Sequence, residues 1–106
     1  MQPQFVTDFP ASVPPRFSIG EKVRVRNVAP LGHIRTPFYI RGHAGTIERL
    51  CGSFPNPEEL AQMRDGLPAQ PLYRVRFRQK DVWPDYRGND TDVLEIEIFQ
   101  HWLEKA

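Results

Sequence analysis

Fourteen residues, from Gly32 to Gly45, concentrate the side chains in this sequence that could do chemistry. Gly-His-Ile-Arg-Thr-Pro-Phe-Tyr-Ile-Arg-Gly-His-Ala-Gly holds two arginines (Arg35, Arg41), two histidines (His33, His43), two aromatics (Phe38, Tyr39) and three glycines. A guanidinium offers five donors in a rigid fork and stays charged at any working pH. Two of them suit paired oxygens on an anion: a phosphate, a carboxylate or an oxidised cysteine. Pro37 at the centre and glycine at both ends forbid a continuous helix and a plain central strand. The stretch therefore reads as a structured loop that leads into a strand, with bends at glycine. Restricted loops of this kind are common functional surfaces; the plainer alternative is a long surface connection whose arginines are merely solvated.

The remaining catalytic inventory is thin. The chain has no Gly-rich phosphate loop, no nucleophile-elbow serine and no His-Glu-x-x-His. His33, His43 and His101 are spaced too irregularly for a zinc set. Glu58-Glu59 and Asp90/Asp92 read as a helix N-terminus and a solvated turn. The single cysteine, Cys51, excludes an internal disulfide framework and a thiolate-rich metal site built by this chain alone. It fits a reducing cytoplasm, and Cys51 itself reads as a small, semi-buried apolar residue. No apolar run reaches the roughly 18 residues of a membrane span, and no charged-then-apolar leader opens the chain, so neither feature is expected.

The elements that must position the loop are mostly strands. Lys22-Val23-Arg24-Val25-Arg26 alternates strictly, with valines inward and cations outward. Gly45-Thr46-Ile47-Glu48-Arg49-Leu50 makes a second strand, with a bulge or tight bend expected at Gly45 and an end at Gly52. In Asn56-Pro57-Glu58-Glu59, Asn is an N-cap, Pro the first helical residue and Glu the third, which predicts a short helical insert. Leu60 and Met63 are its expected buried pair, and Asp65-Gly66 its stop. Leu72 to Arg78 is a third strand, with Tyr73, Val75 and Phe77 on one face and Arg74, Arg76 and Arg78 on the other. Asp85 to Asp92 reads as a polar connection. Leu94 to Phe99 is a fourth strand, whose Glu95 and Glu97 would meet the arginines if the two strands pair. His101-Trp102-Leu103 closes the chain as a short turn that plugs an open barrel end.

These patterns describe a mainly β protein, a small SH3-like barrel of four or five strands. A proline-rich extended arm over 1–15 precedes the barrel domain over 16–106; a twisted open sandwich is the alternative. At 106 residues there is one domain at most. A core of that size leaves little room for a deep private active site, which points toward a binding module or a subunit. Hydrophobic content of 40% with mean hydropathy −0.52 is ordinary for a globular chain. The net charge of +1 conceals a polarity, since residues 16–49 carry seven Lys/Arg against two Asp/Glu and residues 81–106 carry two against seven. The basic half offers a second reading, an SH3-like module for nucleic acid or a protein partner, against which the near-zero net charge argues.

Four strings carry a resemblance. They are Phe17-x-x-Gly20-Glu21-x-Val23-Arg24-Val25; Pro30-x-Gly32-His33-x-Arg35-x-Pro37-x-Tyr39-x-Arg41-Gly42-x-x-Gly45; Leu72-Tyr73-x-Val75-Arg76-Phe77; and Trp83. From about Phe17 to Leu103 the chain resembles the C-terminal half of the nitrile hydratase β subunit. The resemblance implies an SH3-like barrel and an active site shared between subunits. A partner α-type subunit would supply a low-spin cobalt(III) or non-haem iron(III) through cysteines and backbone amides, with two of the cysteines oxidised. Arginines of the β subunit hydrogen-bond those oxygens, and on this sequence the candidates are Arg41 and Arg35. His33 and Tyr39 would line the substrate channel or stand behind it. No metal would be bound by this chain alone. The family's helical N-terminal half is missing, so the chain resembles the smaller piece of a split β subunit, as in thiocyanate hydrolase and three-subunit nitrile hydratase. A separate N-terminal β-type subunit is then a further expected partner. The implied reaction is hydration of a nitrile to an amide, or thiocyanate hydrolysis, by the assembly.

Overall fold

The computed structural model describes residues 12–27 and 38–106. The protein is mainly β, as its alternating segments predict. Five strands form one antiparallel sheet: β1 (Lys22–Val25), β2 (Ala44–Phe54), β3 (Gln70–Arg78), β4 (Val93–Phe99) and β5 (Leu103–Lys105), in the order β4-β3-β2-β1-β5. Among the described residues β4 and β5 do not pair, so the expected small barrel is an open one. Val23, Val25, Ile47, Tyr73, Val75, Phe77 and Ile98 face one another in the core, closed by Trp102 and Leu103. Trp102 lies in a 3-10 turn over Gln100–Trp102 and is buried, but the expected closing turn over His101–Leu103 does not end the chain, because Leu103 begins β5.

β2 departs from expectation at both glycines. Its register with β3 jumps between Ile47 and Arg49 and again between Leu50 and Gly52, which makes Glu48 and Cys51 bulged residues. Gly52 (φ 137°) belongs to the second bulge and the strand runs on to Phe54, so Gly52 does not end it. Gly45, by contrast, sits in regular register opposite Val23. Glycine is needed there because a Cβ would lie 2.8 Å from both the Arg76 carbonyl oxygen and Val75 Cγ1. The Arg76 backbone and the Val75 and Phe77 side chains leave no room for a side chain.

Between β3 and β4 the register places Arg74 opposite Glu97 and Arg76 opposite Glu95. Arg76 donates to Glu95 from Nε at 2.9 Å and Nη2 at 2.8 Å, and Arg74 Nη2 donates to Glu97 at 3.1 Å. Donation to Glu97 holds the Arg74 guanidinium above its ordinary pKa. The predicted cross-strand charge pairing is present, between exposed groups that water and salt screen.

Two buried polar nodes fasten the ends to the sheet. The Tyr73 hydroxyl donates to Gln100 Oε1 (2.8 Å) and accepts from the Arg16 and Phe17 amides, while Gln100 Nε2 donates to the Pro14 carbonyl. With the Val13 amide bonded to Ala69 (2.8 Å), residues 12–17 lie along their own domain. The second node is in the insert, a one-turn helix α1 (Pro57–Leu60) capped by Asn56 as the sequence predicts. The expected burial of Leu60 and Met63 fails: they are 48% and 94% exposed. The helix ends at Leu60 and the chain turns through the left-handed region at Met63 (φ 63°), so the single turn does not aim both inward. Glu58 turns inward instead, 8% exposed, with Oε1 2.7 Å from His101 Nε2 and 2.8 Å from the donating Trp102 Nε1.

This node should matter more to stability than the helix's apolar side chains. Glu58→Ala strands the buried Trp102 N–H and should lower stability by about 2–3 kcal/mol. Leu60→Ala and Met63→Ala should stay within about 0.5 kcal/mol. Urea midpoints at constant slope measure all three, and equal effects would contradict the assignment.

Candidate functional site

The described part of the arginine loop starts with a 3-10 turn over Phe38–Ile40. Ile40 is fully buried in the core, and that single apolar anchor seats the turn on the sheet. Arg41 and Gly42 then reverse the chain, with Gly42 at φ 81°. The Gly42 amide donates to the Val25 carbonyl (2.8 Å), the Val25 amide donates to His43 (2.9 Å), and the His43 amide donates back to Ile40 (3.0 Å). Arg24 Nη1 adds a 2.7 Å bond to the Gly42 carbonyl. Half-buried Arg41 is therefore carried on a turn fixed to the end of β1 before β2 begins.

Tyr39, on the turn's outer side, stacks on Trp83 with ring centroids 5.1 Å apart and planes 28° apart. Both rings stay about two-fifths exposed, at 41% and 40%. Trp83 follows α2 (Gln79–Val82), a one-turn helix at the exit of β3. Its indole Nε1 donates to Gln79 Oε1 at 2.7 Å and its amide to the Gln79 carbonyl at 3.0 Å. Further along the connection, the Tyr86 hydroxyl donates to the Asp92 carboxylate. That bond, with burial second, holds the phenol above its ordinary pKa.

Of the residues singled out from sequence, Arg41 and Tyr39 lie two residues apart on this turn. Arg35 and His33 lie outside the described residues. Trp83 entered the sequence reading only through the resemblance; its stacking on Tyr39 had no local signal, because the two come from loops far apart in the chain. A cleft of about 380 Å³ lies elsewhere, bordered by Arg16, Arg26, His101 and Glu104, and contains none of the candidate residues. Among the described residues, no group of three or more His, Cys, Asp or Glu could hold a metal ion, and no helix is long and apolar enough to cross a membrane.

A sheet of this order has counterparts among known proteins. Residues 6–105 match the family model for the C-terminal region of the nitrile hydratase β subunit, and the chain belongs to that family. It is 39% identical over 94 residues to the thiocyanate hydrolase α subunit of Thiobacillus thioparus, covering 86% of this chain and 72% of that one. It is 36% identical over 93 residues to the nitrile hydratase β subunit of Pseudomonas chlororaphis, covering 87% of this chain and 41% of the relative. The chain thus spans about two-fifths of that β subunit's length. The recombinant apo-enzyme of thiocyanate hydrolase from Thiobacillus thioparus superimposes with a TM-score of 0.84 at 36% identity, covering 92% of this chain and 81% of that chain.

Two expectations follow from the site's geometry. A Cβ on Gly42 would meet Asn27 only at 3.6 Å, ordinary contact, so Gly42→Ala isolates the cost of the left-handed backbone. Urea unfolding should show a loss of about 1–2 kcal/mol; no loss would mean the turn relaxes freely. The raised Tyr86 pKa stabilises the fold fully below the free phenol's value near 10 (roughly) and is lost as pH rises through the higher folded value. Tyr86→Phe should remove that part of the alkaline decline in a pH series of unfolding midpoints. An unchanged decline would contradict it.

Proposed function

We propose that this chain acts as a small β-type subunit of a nitrile hydratase-like or thiocyanate hydrolase-like complex. In this reading Arg41, with Arg35 from outside the described residues, hydrogen-bonds the oxidised cysteine ligands of a cobalt or iron centre carried by an α-type partner, and a separate N-terminal β-type chain completes the assembly. The observation that carries the reading is the Arg41 turn itself. Arg41 sits on a backbone held by Ile40, Gly42 and Val25, two residues after the Tyr39 that stacks on Trp83.

The residues fit such a group. Sulfinate and sulfenate oxygens are anionic acceptors, and a guanidinium pre-placed by a rigid turn meets them without losing much freedom on assembly. The partner's metal would contribute Lewis acidity toward the substrate. This chain's share would be to hold the oxidised ligands in place, neutralise their charge and wall the site with Tyr39. The substrate would be a nitrile, hydrated to an amide, or thiocyanate.

A nucleic-acid module is less well supported, because Arg74 and Arg76 are spent on Glu97 and Glu95 and Arg24 and Arg26 donate to backbone carbonyls.

Co-expression with its genomic neighbours provides the test. The complex should turn over its substrate only when this chain is present. Arg41→Lys should lower the rate roughly 10- to 100-fold while the unfolding midpoint and assembly stay unchanged. Normal turnover without the chain, or a fully active Arg41→Lys complex, would refute the proposal.

A further inference from the structure

We infer that Trp83 is a positioning residue for Arg41: its ring, stacked on Tyr39, braces the outer side of the turn, so the β3–β4 connection helps set where that arginine sits. The inference rests on the function proposed above and adds a residue that acts through another.

The turn is held from two sides. From inside, Ile40 is buried and the Gly42 and His43 amides are bonded. From outside, the Tyr39–Trp83 stack reaches it. An aromatic pair left two-fifths in water gains less from burial than a core pair would, so orientation is the larger part of what it can contribute. Trp83 is suited to that role because its own ring is fixed by the 2.7 Å bond to Gln79. Gln79 is tied in turn to the start of β4, its amide donating to the Asp92 carbonyl at 2.9 Å. Asp92 also accepts from the Asn89 amide (3.1 Å) and from the Tyr86 hydroxyl, which stiffens the connection. A continuous series of fixed contacts therefore runs from the β3–β4 hairpin through Gln79, Trp83 and Tyr39 to the residue two before Arg41. Moving the indole should move the turn and leave the sheet.

Amide hydrogen exchange on the full chain reads this without any activity. Trp83→Ala should lower protection at Gly42 and His43 roughly three- to tenfold, leave the β3 amides unchanged, and be restored by Trp83→Phe. If Trp83→Ala loses the fold, Gln79→Ala, which frees the indole without removing it, should give a smaller loss at the same two amides. In the assembled complex Trp83→Ala should lower kcat with KM little changed, again rescued by Phe. Unchanged protection at Gly42 and His43, or a uniform loss across the sheet, overturns the inference. If protection falls but Arg41→Lys proves fully active, the parent reading fails instead, so the two failures are distinguishable.

Discussion

The fold depends most on how the strand Lys22–Val25 is bonded to the turn at Gly42 and His43. Val25 accepts from one of these residues and donates to the other, its side chain is fully buried, and Ile40 fills the core beside it. The turn that carries Arg41 is therefore anchored to the end of β1, just before β2 begins. Arg24, one residue earlier on the solvent side, holds the same turn by the Gly42 carbonyl. Two positions downstream, Gly45 lets the backbones of β2 and β3 approach too closely for any Cβ. Core packing and loop geometry are set by the same handful of residues.

Polar groups complete what apolar area in so small a domain leaves short. Tyr73 and Gln100 satisfy each other inside the barrel and gather the amides of residues 16 and 17 with the Pro14 carbonyl. Glu58 gathers His101 and Trp102. Both nodes converge on the stretch from Gln100 to Trp102, so residues 13–17, the helical insert and the strand β5 are tied together there. The Tyr39–Trp83 stack joins the arginine turn to the β3–β4 connection. Removing the Glu58 side chain would leave the buried Trp102 N–H without its acceptor, so the node costs more to break than an exposed pair would.

Much of this was legible in the sequence where periodicity is strict. Lys22 to Arg26, Tyr73 to Phe77 and Leu94 to Ile98 alternate without error, which specified three strands, half of the buried core and the arginine–glutamate ladder. It was not legible where non-local contacts decide. Bulges at Glu48 and Cys51 break the period-two signal and hid the second half of β2. Leu103–Lys105 is too short to announce a strand, and only its pairing with β1 makes it one. Glu58 looked like an ordinary helix-start acid because its partners lie near the far end of the chain. Of the candidate site, the arginine-bearing turn could be read from glycine, proline and residue type. The Trp83 brace could not, since nothing local to either aromatic specifies the other.

The measurement that tests the account most directly is an experimental structure of the chain co-purified with its metal-bearing partner. The account predicts the Arg41 guanidinium within about 3 Å of oxygens on the partner's modified cysteines, with Tyr39 and Trp83 still stacked at the edge of the interface. A complex in which Arg41 faces solvent or bonds only within its own chain, far from the metal ligands, would contradict it.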